Sequence, residues 1–131
     1  MNDNLKSPSR TNGFLDLPDL PARIEAAREF VYAAFDSEFI KIGKSARHPH
    51  ERLADLQTAN ARQLLLMAWT IELTEKQAHR LLCRWKVRGE WFRATPELLD
   101  QLATWTYLDQ AVFSQAMDAA RPEAAEERMP R

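Results

Sequence analysis

The period of apolar positions changes several times along this chain, and each change marks an element. Residues 30 to 35 form a compact run of valine, alanine and aromatic side chains, which predicts a first strand. Phe39-Ile40-Lys41-Ile42-Gly43-Lys44-Ser45 alternates apolar with cationic positions, so Ile40 and Ile42 are expected on the buried face of a second strand and Lys41 on the other. With only a short turn at Asp36-Ser37 between them, the two strands should pair as an antiparallel hairpin. Gly43 is expected to act as a structural turn where the strand ends, or to let a ligand come close, with Lys44 beside the opening. Pro49 then fixes the first turn of a helix with His48 as its cap, and Leu53 and Leu56, three apart, turn to the core while Arg52 stays on the flank. After a break at residues 60 to 63, residues 64 to 73 are apolar enough for a third, central strand.

Helical spacing dominates elsewhere. Asp19-Leu20-Pro21 supplies a cap and an early proline for a short helix over residues 20 to 29, burying Leu20, Ile24 and Ala27. Thr74-Glu75-Lys76-Gln77 has the spacing of a capping box, and Ala78, Leu81, Leu82 and Trp85 follow at i, i+3, i+4 and i+7. Gly89 is a structural turn ahead of Glu90-Trp91-Phe92. Thr95-Pro96 opens another helix through Leu98, Leu99, Leu102 and Trp105, which as one helix or a pair is expected to run to about residue 120. The fold class this predicts is α/β (α+β): a small three-stranded, largely antiparallel sheet flanked by helices. Residues 1–18 read as a flexible leader, 19–104 as the domain, 105–120 as an additional C-terminal helix and 121–131 as a disordered tail. The added helix is expected to cover the core or to pair with a second copy as a homodimer.

Composition narrows the class. At 131 residues and 45% hydrophobic, the chain suits one domain with a real core. Cys83 is the single cysteine, so neither an internal disulfide nor a multi-cysteine zinc cage can form, and a reducing, cytoplasmic setting is the expectation. No run approaches membrane-spanning length, and the N-terminus lacks the apolar stretch of a secretion signal. The net charge of -1 conceals an uneven distribution. Residues 40 to 93 hold eleven basic and five acidic side chains, against four and seven before them and three and seven after. A basic centre between acidic ends is compatible with a polyanionic ligand.

Four residues stand out in that centre: Tyr32 in the first strand, Lys41 in the second, Arg52 in the following helix, and Glu90 after Gly89. Each alone has an ordinary reading as a strand aromatic, a surface cation or a turn carboxylate. In order, they resemble the GIY-YIG nuclease superfamily, with Phe30-Val31-Tyr32 at its first motif, Lys41-Ile42-Gly43 at its second, Arg52 as its arginine and Glu90 as its acidic ligand. The resemblance is strongest to the small branch named for phage open reading frames and for a meiotically up-regulated gene product. That branch shares the Lys-Ile-Gly motif, Arg-Leu-x-x-Leu-Gln-Thr-x-Asn over residues 52 to 60, a histidine at His79, and Gly-Glu-Trp-Phe over residues 89 to 92. Phe30 stands in place of the superfamily's first glycine and Lys41 in place of its second tyrosine.

The resemblance implies a divalent-metal-dependent endonuclease that hydrolyses DNA, with RNA a further possible substrate. Glu90 would hold Mg²⁺ or Mn²⁺, hard cations that prefer oxygen ligands. Tyr32 would be the general base, its pKa lowered by Lys41, Lys44 or a metal-bound water network. Arg52 would stabilise the phosphate as charge builds, and His79 would hydrogen-bond or relay a proton. Lys44, Arg47 and Arg88 would contact nucleic acid. The alternatives are a non-catalytic nucleic-acid-binding module and a regulatory subunit built on the same fold. His79 and Cys83, four apart, read as a packing histidine and a buried cysteine, and His48-Pro49-His50 as turn chemistry. Trp69, Trp85, Trp91 and Trp105 read as core.

Overall fold

A computed structural model of the chain describes residues 19–58 and 60–121. The expected flexible leader and most of the expected disordered tail lie outside those residues. In chain order the elements are α1 (Leu20–Ala26), β1 (Phe30–Phe35), β2 (Phe39–Ser45), α2 (Pro49–Thr58), β3 (Leu65–Thr70), α3 (Glu75–Leu81), a 3₁₀ turn at Cys83–Trp85, β4 (Lys86–Arg88), β5 (Trp91–Arg93), α4 (Pro96–Leu102), β6 (Tyr107–Leu108) and α5 (Gln110–Ala120). The mixed α and β class is as the sequence implies. The sheet is larger: six antiparallel strands in the order β4-β5-β2-β1-β3-β6, not three.

β1 is the middle of this sheet and all six of its residues are buried, because helices cover both faces. Its alternation sorts the core. Val31, Ala33 and Phe35 face one way, with Ile40 and Ile42 of β2, and pack with Ala78 and Leu82 at α3, with Leu98, Leu99 and Leu102 of α4, and with Val112 and Ala116 of α5. Phe30, Tyr32 and Ala34 face the other way, into a cluster with Leu64, Leu66 and Trp69 that α1 and α2 close through Ile24, Ala27, Leu53 and Leu56. A bulge in β3 opposite Ala33 and Ala34 breaks strict alternation, so Met67 and Ala68 both belong to the first cluster. The hairpin of β1 and β2 turns at Asp36, whose Oδ1 accepts the Glu38 and Phe39 N–H groups at 2.9 and 2.7 Å, while Ser37 takes φ 84°.

Several expectations need correction. β2 does not end at Gly43 but continues to Ser45, so Gly43 is a strand residue and not a turn. α1 stops at Ala26, and Leu20 is exposed. The third strand ends at Thr70, where Thr106 Oγ1 accepts the Ile71 N–H at 3.2 Å and meets Thr70 Oγ1 at 3.1 Å. That contact also explains why no continuous helix reaches residue 120. Thr104-Trp105-Thr106-Tyr107 is β-branched and aromatic, β6 adds to β3, and Asp109 then caps α5 by accepting from Ala111 and Val112 N–H. α5 covers the chain's own core. The capping box at Thr74 is present, yet α3 ends at Leu81 and the 3₁₀ turn redirects the chain beyond it. Ala78 and Leu82 are buried, whereas Leu81 is 57% exposed and Cys83 is exposed instead of buried.

Leu102 is fully enclosed, so Leu102→Ala should cost about 2–5 kcal/mol in urea unfolding. Leu81→Ala, which the helical stripe alone would rank alongside it, should stay within about 0.5 kcal/mol.

Candidate active site

The site gathers where the second half of β2, the start of α3 and the turn between β4 and β5 meet. Gly89, at φ 58°, makes that turn sharp enough to deliver Glu90 beside β2; the residue after it, Trp91, pairs with Lys41 across the strands. Two bonds then fix Glu90: its carbonyl accepts the Ile42 N–H at 2.8 Å, and its Oε1 accepts from Lys41 Nζ at 2.8 Å. Lys41 Nζ also lies 5.4 Å from the centre of the Trp91 ring, so the lysine is held from two sides.

α3 contributes from above. His79 Nε2 is 3.0 Å from the Ile42 carbonyl oxygen. A carbonyl only accepts, so Nε2 carries the hydrogen, and Phe92 packs edge-on against the ring at 5.1 Å. This nitrogen is therefore committed to the backbone of β2. One turn earlier on α3 is Glu75, which the sequence pattern assigns only to a capping box. Its carboxylate lies beside Glu90 and 3.8 Å from His79 Nε2. The only sequence signal for it is its i−4 spacing from His79. Glu29, just before β1, has no such signal; its Oε2 accepts the Glu75 N–H at 3.3 Å. Glu29, Lys44, Lys76, His79, Glu75 and Glu90 line one pocket of about 420 Å³.

Burial and the charge of Glu90 push the Glu75 carboxyl above the ordinary glutamate range, against the pull of His79 and Lys44. Glu90 goes the other way. Burial would raise it, but the hydrogen bond and charge of Lys41 prevail and hold it low. The pair therefore divides into a readily protonated Glu75 and a firmly ionised Glu90.

Tyr32 lines neither this pocket nor the cleft beside it: it is only 2% exposed and pairs with Gly43 across the hairpin. Its ring lies over the glycine so closely that a Cβ at residue 43 would come within 2.5 Å of the hydroxyl oxygen. The glycine thus serves the tyrosine ring, not a ligand. Burial, then the charge of Glu90, raises the Tyr32 pKa, while Arg52 beside the hydroxyl opposes both. This corrects the expectation that neighbouring cations bring the phenol down: in this arrangement they do not prevail. Arg52, from the first turn and a half of α2, has a buried Nε that makes no hydrogen bond. It lines a second cleft with Lys44 and Arg47. Arg88 is elsewhere, exposed on the outermost strand β4 and lining neither pocket.

Glu75 and Glu90 offer hard oxygen donors at an open pocket, with mutual repulsion that a cation would relieve. Among the described residues no group of three or more His, Cys, Asp or Glu side chains is arranged to hold a metal ion. Two carboxylate side chains are hard oxygen donors of the kind Mg²⁺ or Mn²⁺ would accept beside water ligands. No helix among the described residues is long and apolar enough to cross a membrane.

Carboxylates and cations line one pocket of a mixed sheet-and-helix domain, and the family match gives the class as nuclease-like. The chain belongs to the T5orf172 domain family, which it matches over residues 29–106, a phage-associated domain of the GIY-YIG-like endonuclease type. No curated protein and no solved structure matches it.

The carboxylate pair gives stability a pH signature. Glu75 holds its proton more tightly folded than unfolded, so its contribution is complete below the ordinary glutamate range and is lost as pH rises through its raised value. Glu90 contributes above that range and loses its part as pH falls through its lowered value. The stability advantage of Glu75→Gln over wild type, from urea midpoints, should accordingly grow between about pH 4 and about pH 7. A difference independent of pH would mean that folding does not raise the Glu75 pKa.

Proposed function

We propose that the chain is a divalent-metal-dependent endonuclease of the small stand-alone branch of its superfamily, hydrolysing phosphodiester bonds of DNA. The observation that carries this reading is the convergence of Glu90, Glu75, Lys44 and His79 on one open pocket, with Lys41 holding Glu90 and with Arg52, beside the Tyr32 hydroxyl, lining the adjoining cleft.

Glu90, kept ionised by Lys41, would hold Mg²⁺ or Mn²⁺, with Glu75 beside it. A bound cation would supply charge to the phosphate oxygens and offset Glu90, whose charge, with that of Glu75, adds to burial in keeping Tyr32 protonated. Arg52 presents its guanidinium to the phosphate from the adjacent cleft, where its donors gain strength as negative charge grows in the transition state. Lys44 borders both pockets and orients the same phosphate. Tyr32 takes the proton of the attacking water as its phenolate. Because burial keeps its pKa high, only a small fraction is in that form at neutral pH. His79 acts as a positioning residue: its Nε2–H on the Ile42 carbonyl ties α3, and so Glu75, to the strand that carries Lys41 and Gly43.

The Lys41–Glu90 contact also favours a second reading. It occupies a carboxylate oxygen that a metal would use, which suits a module that binds nucleic acid without cutting it.

Plasmid and short-duplex cleavage separates the two. The nuclease reading expects nicking with Mg²⁺ or Mn²⁺, none in EDTA, and loss of about 10²-fold or more in Glu90→Ala, Tyr32→Phe and Arg52→Ala, each verified as folded. The single-turnover rate should climb with pH from about 7 to about 9, and this climb should vanish in Tyr32→Phe. Binding that persists without cleavage under every metal would leave the module.

A further inference from the structure

The reaction pocket has a neighbour that this mechanism uses only at its edge. Arg28, Lys44, Arg47 and Arg52 line a concave cleft of about 380 Å³, together with Ser45 and Glu29. Lys44 and Glu29 line the reaction pocket as well, so the two sites abut. Four cations face this cleft against one carboxylate. That carboxylate is already engaged, with Glu29 Oε2 accepting the Glu75 N–H at 3.3 Å on the reaction-pocket side.

The cations are available to a ligand. Among the described residues, Arg28, Lys44 and Arg52 make no ion pair. Arg47 pairs with Asp55, but both side chains are more than half exposed, and such contacts exchange readily for a stronger anion. Its backbone is set in place by its N–H donating to Ser45 Oγ at 3.0 Å. A cleft so charged would repel a second copy of itself and attracts an anion with several oxygens. Its continuity with the reaction pocket through Lys44 suits an anion covalently linked to the one in that pocket.

We propose that this cleft is a second phosphate subsite, which binds the phosphodiester next to the one being cut on the same nucleic-acid strand. The assignment rests on the nuclease reading and adds a requirement to it: a flanking phosphate on one side of the cut contributes to recognition. Arg28 and Arg47 grip that phosphate, Lys44 bridges it to the scissile one, and Arg52 stands between the two.

Two measurements test the subsite separately from catalysis. In the first, an oligonucleotide substrate carries one neutral methylphosphonate linkage, moved position by position across the cut site. With wild-type protein, kcat/KM should fall about tenfold or more at one flanking position. With Arg28→Gln/Arg47→Gln, the unmodified substrate should lose a similar factor and the neutral linkage should add little. A full penalty that persists in the variant overturns the proposal. In the second, binding of a fluorescein-labelled oligonucleotide is followed by anisotropy in EDTA over a range of salt. The slope of log K against log salt should flatten by about one for each arginine removed. Flattening in a protein that never cuts would sink the nuclease reading and support the subsite. An unchanged slope in Arg28→Gln/Arg47→Gln, folded by circular dichroism, overturns the subsite whether or not the protein cuts.

Discussion

The pairing of Tyr32 with Gly43 governs the rest of the site. β1 is buried on both faces, so its register against β2 is set by two packed cores, and a slip of one residue would send Val31 and Tyr32 to each other's side. With that register fixed, the tyrosine ring must lie across residue 43, and only a side chain without Cβ leaves room for it. The same register puts Lys41 opposite Ala34 on one side and Trp91 on the other, within reach of Glu90. One steric fit in the hairpin thus places the phenol, the lysine and, through the Ile42 N–H, the turn that holds the glutamate.

The charges around that hairpin form a graded set. Lys41 outweighs burial and lowers the pKa of Glu90, whereas burial, then the charge of Glu90, raises that of Glu75. Tyr32 feels Glu90 and Arg52 with opposite sign, and burial decides the balance in favour of the phenol. Offsetting the charge of Glu90 therefore acts on two groups at once, lowering the pKa of Glu75 and that of Tyr32.

Much of this was legible in the sequence, and the exceptions have specific causes. The β1–β2 hairpin, the capping box at Thr74 and the turn at Gly89 are encoded by short-range chemistry, and the structure has all three. β4, β5 and β6, at three, three and two residues, are too short to show a period; they are strands because each pairs with a neighbour in the sheet. Leu81 and Cys83 were misjudged because a helical stripe has no meaning beyond the helix end. The motif order singles out Lys41, Arg52, His79 and Glu90, and the structure sets Lys41 against Glu90, but the depth of Tyr32 has no sequence signal. Alternation cannot reveal which face is more enclosed when both are. Glu75 escaped because its position in a capping segment already explained it, and its closeness to Glu90 depends on how α3 crosses β2.

The arrangement of charge also accounts for how a chain of net charge -1 can address a polyanion. Glu25, Glu97, Asp100 and Asp118 lie on α1, α4 and α5, whereas the two pockets are formed by the start of α2, the end of β2, the start of α3 and the β4–β5 turn. Field lines in a cleft follow the local cations, and screening at physiological salt confines the influence of each charge to about 8 Å. Net charge then governs solubility and long-range approach, while Arg28, Lys44, Arg47 and Arg52 govern what is held. The weak overall attraction makes local grip the larger share of affinity. On the proposed reading, a domain of this size with no strong field gains from contacts to more than one phosphate, which the four cations of the cleft beside the reaction pocket would offer.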